Sequence, residues 1–221
     1  MLSIVKKTLP GNLLLVPAVS VSRFQMPSLR SSFISEDRLT SNRDVYSLSR
    51  QTSYLPHMNF DQRGLLIPPE KISFEQSQFA QIFVRDFPES STRGSLFQAY
   101  QDYSGWFTQK ITGSFVQWIG GSFTTAKRSP QDIDLVTLCA QEDLIKHDEI
   151  LASETEKGNW KSRGVDAYVV GVRAYDAPDY PLYRSDFVYW IHQFSTTRRD
   201  RRGRKHARGF VEITFNGYSY E

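Results

Sequence analysis

Apolar positions recur at a helical period in two stretches of the chain. In "SFEQSQFAQIFVRDF", Phe74, Phe79, Ile82 and Phe83 fall at roughly helical spacing, with Ser73 ahead of Glu75 and Gln76 as the expected N-cap. Leu96, Tyr100, Tyr103 and Phe107 follow the same period and predict a second helix over about 92–111. The pattern then shortens. "FVQWIGG" is a brief apolar run closed by glycines and predicts a strand, and "DIDLVTLC" predicts another. Between them "SFTTAKR" predicts a short turn of helix. "AQEDLIKHDEILASETEK" reads as a polar helix and "VDAYVVGV" as a β-branched strand. "YRSDFVYWIHQFST" reads as a helix capped by Ser185, and "GFVEITF" as a closing strand of period 2. "GLLIPPEKISF" is an extended lead-in with a Pro-Pro stop. This order predicts an α/β (α+β) domain: a mixed central sheet with helices packed on it.

Composition separates residues 1–56 from that domain. They hold ten serines before position 50, few acids and no sustained period, and read as a disordered extension ahead of a domain at 57–221. Two other readings stay open for them: an Arg/Ser-rich targeting segment, or a true start at Met58. Lys6 and Lys7 precede a short apolar run, but Pro17 breaks it and no A-x-A site follows, so a secretory signal is a poor match. The whole chain, 221 residues with 39% apolar and 14% aromatic positions, is long and apolar enough for one sizeable core. No run approaches 18 apolar residues, so no membrane span is expected. Cys139 is the sole cysteine, which excludes an internal disulfide and a Cys-based zinc site and makes the cytoplasm the expected location. The net charge of +3 is uneven: residues 1–50 contribute +4 and 196–209 contribute +6, leaving −7 for the rest. That is an acidic body with a basic loop, unlike a uniformly basic nucleic-acid binder.

The acids of "DIDLV" carry the first chemistry. On a strand Asp132 and Asp134 project to one face, while Ile133 and Leu135 anchor the other. Two carboxylates so close repel, and a divalent cation resolves the repulsion; at a fully exposed strand end the same pair would be solvated and inert. Upstream, Gly120 and Gly121 let the backbone approach a ligand, and Ser122 adds a hydroxyl at the start of the predicted helical turn. Lys127 and Arg128 lie between that turn and the acids, as triphosphate contacts or as an ordinary surface turn. Asp166 interrupts the apolar strand "VDAYVV". It is either a charge near a strand end or a third acid, and three acids beside a Gly-Ser turn are what two-metal displacement at phosphorus requires. In the basic loop 198–208, Arg198, Arg201 and Arg202 would contact an acceptor RNA or the triphosphate, or would simply be solvated. His147 and His192 have no second histidine at metal spacing. Tyr189, Trp190 and Phe194 read as core rather than as a stacking platform, and Cys139 as a small apolar residue. No P-loop or G-x-G-x-x-G sequence is present.

Taken together, Gly-Ser, about ten residues, Asp-x-Asp and a later strand acid resemble the signature of the DNA-polymerase-beta-like nucleotidyltransferase superfamily. The chain is most similar in this respect to the minimal nucleotidyltransferases of toxin–antitoxin and related systems. The resemblance spans about 57–215, with its specific motifs confined to 120–136 and 166. "NFDQRGLLIPPEKIS" and "RRDRRGRKHARGFVEITF" are also similar to an uncharacterised bacterial subgroup, although this loop carries more arginines than that pattern requires. The resemblance implies that Gly121 and Ser122, with Gly120 and Lys127 beside them, hold the β/γ-phosphates of a nucleoside triphosphate such as ATP. Asp132 and Asp134 would bridge two Mg²⁺ ions, with Mn²⁺ as a substitute. Asp166 would ligate the catalytic metal and accept or orient the proton of the attacking hydroxyl. The implied reaction moves a nucleoside monophosphate to a hydroxyl acceptor and releases pyrophosphate. No residues remain for a separate acceptor domain, so a macromolecular acceptor, protein or RNA, is expected, read by the core, the basic loop, a second copy of the chain or a partner protein. A catalytically inactive binding or antitoxin module and an enzyme making a small nucleotide messenger are the alternatives.

Overall fold

A computed structural model describes residues 59–220; the readings made for residues 1–56 and for a start at Met58 lie outside the described residues. The described chain begins with a short antiparallel ladder, β1 (Asn59–Phe60) against β2 (Leu66–Ile67), followed by β3 (Lys71–Ser73). Ser73 is not a helix cap. It closes β3 and donates from its hydroxyl to Glu212 at 3.0 Å, while Glu75 caps α1 (Gln76–Ala80) in a reciprocal box with Gln78. The helix then widens into a π-helical stretch, Gln81–Arg85.

The second predicted helix forms as α2 (Arg93–Lys110), burying Leu96, Tyr100, Tyr103 and Phe107 along one stripe. Strands β4 (Phe115–Gly120) and β5 (Ile133–Ala140) follow where the apolar runs place them. The polar helix is divided into α3 (Gln141–Lys146) and α4 (Asp148–Lys157) at His147, whose ring Nδ1 lies 2.9 Å from the Asp143 carbonyl. A short α5 (Asn159–Ser162) precedes β6 (Val165–Val172). The next helix, α6 (Tyr180–Ser195), starts well before the expected Ser185 cap: Asp179 occupies the N-cap and Pro181 the first turn, where no intrahelical N–H is needed. Last comes β7 (Phe210–Phe215).

These strands form one mixed five-stranded sheet in the order β3-β7-β4-β5-β6, an α+β architecture with helices on both faces. β3 and β7 are parallel, β7 and β4 antiparallel, β4 and β5 antiparallel, β5 and β6 parallel. The closing strand therefore sits inside the sheet. Its first four residues are all buried, so the expected in–out alternation gives way to burial on both faces. Ile133, Leu135, Cys139, Val211 and Ile213 pack beneath α1 and α2. On the opposite face Val116, Trp118, Val136, Leu138 and Val170 pack against Tyr183 and Phe194 of α6. Among the described residues no helix is long and apolar enough to cross a membrane.

Candidate functional site

Strand register places two of the predicted acids side by side. β4 places Gly120 opposite Asp134, and β5 places Asp134 opposite Asp166 in the parallel ladder. The C-terminal end of β4 thus meets the N-terminal ends of β5 and β6. Asp134 and Asp166 share strand parity with Val136 and Val170, so both carboxylates lie on the α6 face. Asp132 stands just ahead of β5 and is exposed, whereas Asp134 and Asp166 are half-buried.

Burial first, then the neighbouring Asp132 and Asp166, push the Asp134 carboxyl up to about 6, against the opposing pull of Arg208 and Arg198. Asp166 is engaged by its surroundings: the Tyr168 hydroxyl donates to its Oδ2 at 3.4 Å, and Lys161 Nζ lies 3.8 Å from Oδ1. Among the described residues no three His, Cys, Asp or Glu side chains stand together as a metal-binding group. The donor set itself suits a hard divalent cation: carboxylates only, crowded enough to raise a pKa, at the floor of an accessible cleft.

Gly121 supports Asp134 directly. Its φ is +69°, and a Cβ there would stand 1.7 Å from Asp134 Oδ2, so glycine alone fits both the backbone and the space. Gly120 does something different: a Cβ there would lie 2.4 Å from Phe194 Cδ1, which makes Gly120 the seat of α6 on β4. Ser122 and Lys127 line the cleft.

The expected helical turn at "SFTTAKR" is absent. Residues 121–124 form a turn that runs into a bend at 125–126, with Thr125 N donating to Ser122 O at 3.3 Å and Ala126 N to Gly64 O at 2.8 Å. Arg93 supplies the reason. Its fully buried guanidinium donates to the carbonyls of Phe83, Phe123, Thr125 and Lys127 at 2.7 Å each and of Arg128 at 3.3 Å. Carbonyls drawn to one point cannot align along a helix axis. Arg93 was legible only as a charge one turn before Leu96, on the apolar stripe of α2.

A second wall faces the acids. The chain after α6 turns back as a hairpin, with Thr196 bridged to Ala207 and Thr197 N donating to His206 O at 2.9 Å. Asp200 organises its interior, accepting from the backbone N–H groups of Arg202 and Arg204 and from the Arg204 side chain, with His206 Nε2 at 3.2 Å. Arg208 ties the hairpin to the turn: it donates to Gly121 O at 2.9 Å, Phe194 O at 3.0 Å and Gln193 O at 3.4 Å. No local pattern singled Arg208 out among the arginines of the loop. Of the three arginines expected here, Arg198 lines the cleft, while Arg201 and Arg202 are exposed at the hairpin tip and are not among its lining residues. Phe194 is buried as expected, but Tyr189 is 50% exposed and lines the cleft with Trp190. The cleft between the walls has a volume of about 870 Å³. His192 lies outside the acid cluster, its Nε2 3.0 Å from Lys205 Nζ.

Fold and site together define a mixed α+β protein with an acidic strand-end floor and a basic, aromatic wall. The chain belongs to a family of unknown function (DUF6932), whose sequence pattern matches residues 58–214. That span takes in the whole five-stranded sheet except its last residue, together with all the acids, the turn and the hairpin. No curated protein and no solved structure matches the chain.

Proposed function

We propose that the chain is a metal-dependent nucleotidyltransferase that moves a nucleoside monophosphate from a nucleoside triphosphate to a hydroxyl of a protein or RNA acceptor. The observation that carries this is the register pairing of Asp134 with Asp166 beside Gly121, with Asp132 two residues away. Asp132, Asp134 and Asp166 would hold Mg²⁺ or Mn²⁺, which when bound would neutralise triphosphate charge and offset the burial and repulsion that raise the Asp134 pKa. Gly121 and Ser122 leave a side-chain-poor edge against which the phosphates lie, and Lys127 adds positive charge there. The acceptor oxygen forms a bond to the α-phosphorus as the α–β bridging bond breaks. Pyrophosphate leaves, and Asp166 takes the hydroxyl proton. Tyr168, donating to Asp166 Oδ2, orients that carboxylate. A cytoplasmic location fits the triphosphate supply and the buried Cys139, whose thiol burial pushes up to about 12.

The test supplies each α-labelled nucleoside triphosphate with Mg²⁺ or Mn²⁺ to the full chain, alone and with cell extract. Label is expected in a macromolecular product with release of pyrophosphate, falling on the order of 100-fold or more in Asp132→Ala and Asp134→Asn. Absence of both transfer and triphosphate binding, with Asp132→Ala matching the parent, overturns the reading.

A further inference from the structure

We infer that the wall opposite the acids is a binding track for a single-stranded nucleic-acid end, so that the hydroxyl presented to the site is that of a strand terminus. This rests on reading the same cleft as a nucleotidyl-transfer site. Three features of the wall carry it. The first is aromatic. Tyr189, on α6, is 50% exposed and Tyr168, on β6, is 42% exposed, and both rings contact Trp190, edge-on at a centroid distance of 5.4 Å and tilted at 4.6 Å respectively. Rings of that size left half-open inside a cleft, rather than turned into the adjoining core, are surfaces on which a base stacks whatever its identity.

The second feature is charge without cancellation. The hairpin's one acid, Asp200, is consumed in holding the hairpin together, so it does not neutralise the face turned to the cleft. That face carries Arg198, Arg199 and Lys205. Hydrogen bonds across the hairpin stem and the three Arg208 contacts fix its backbone, so these cations stand on a fixed support rather than on a solvated coil.

The third is division of labour. A nucleoside triphosphate presents one base and one run of phosphates, and Lys127 with the metal-binding acids lies beside the Gly121 turn for the phosphates. The hairpin cations are left over, with two open tyrosine rings where the triphosphate's single base needs one, and together they offer the further base surface and phosphate charge that a strand requires. A protein acceptor would find few apolar contacts among three cations and would leave the stacking faces unmatched. A duplex keeps its bases paired and offers no ring face to Tyr189.

The experiment is fluorescence anisotropy of the full chain with 5′-labelled RNA and DNA strands of about twelve nucleotides, within the usual span of such grooves, and with the matching duplexes, across a salt series. Single strands are expected to bind more tightly than duplexes, with a salt slope of about −2 from three phosphate contacts. Tyr189→Ala is expected to weaken binding about tenfold and Tyr189→Phe to restore it, since stacking needs the ring and not the hydroxyl. Arg199→Ala is expected to lower the slope by about 0.7. RNA bound above DNA assigns the strand to RNA; equal binding leaves the end's hydroxyl as the recognised feature. Equal affinity for strand and duplex, or binding indifferent to Tyr189→Ala, reduces the wall to a generic cationic surface and overturns the inference. Label transfer to a protein with no strand binding also overturns it while nucleotidyl transfer stands. Strand binding with no use of any triphosphate leaves the track in place and removes the enzymatic reading.

Discussion

Asp134 sits where folding alone has no reason to keep a carboxylate. Burial and two like charges hold its pKa at about 6, above the ordinary 3.8, and the sign of the consequence follows directly. A raised carboxyl pKa gives stability that is complete below the unfolded value and is lost as pH rises through the folded value. At pH 8, without a divalent cation, the ionised group therefore costs the fold on the order of 3 kcal/mol. Asp134→Asn in chelator-treated protein is expected to be more stable than the parent by roughly that amount at pH 8, and equal to it near pH 4. Urea unfolding at the two pH values checks this. Buried Glu212 responds in the opposite sense, its pKa being held low by Tyr220, Trp118 and Lys71 against the upward push of burial, but it is common to both proteins and drops out of the difference. A variant no more stable than the parent at pH 8 would show that the repulsion is relieved without a cation. Stability sacrificed at one carboxylate, with its neighbouring glycine unable to accept a side chain, is the pattern expected of a residue kept for chemistry.

Element by element, the legible parts were those whose signal is local. The apolar runs of β4, β5 and β6 carry their own strand signal, and the stripe of α2 fixed its ends within a residue or so. Misreadings arose where a distant group decides. Ser73 is claimed by Glu212, which lies 139 positions away, and the segment after Ser122 is unwound by Arg93. Arg93 uses all five of its N–H donors on carbonyls, and its guanidinium lies 3.9 Å from the centre of the Phe87 ring. Burial lowers its pKa to about 10, which still leaves it charged at neutral pH. Arg93→Met would strand the carbonyls of the 123–128 segment and is expected to destabilise the chain by about 3 kcal/mol. Arg93→Lys is expected to recover less than half, because an ammonium has three donors and no planar fork. Denaturant midpoints of the three proteins test this, and full rescue by lysine would mean that charge rather than the fork holds the turn.

At the scale of the molecule, the acids were readable because their chemistry is written as spacing, while the wall facing them was not. Whether Tyr189 meets core or cleft depends on how α6 is rotated over β4, and that is set by Phe194 resting on Gly120, a contact across 74 positions. Likewise, the arginines of the hairpin sort into cleft and tip only once Thr196 pairs with Ala207. The same long-range closure bears on the minimal folding unit. Both described cores, the five-stranded sheet and the cleft are assembled from residues within 59–220, with Leu66 near one end and Ile213 near the other both buried in the core beneath α2. A chain starting at Met58 and running to Glu221 is therefore expected to unfold in one cooperative transition, with calorimetric and van't Hoff enthalpies in agreement. It should also bind a single strand as the full chain does, since every group of the track lies within it. Two transitions would show separately folding parts within 58–221, and loss of strand binding on removing residues 1–57 would place part of the track before Met58.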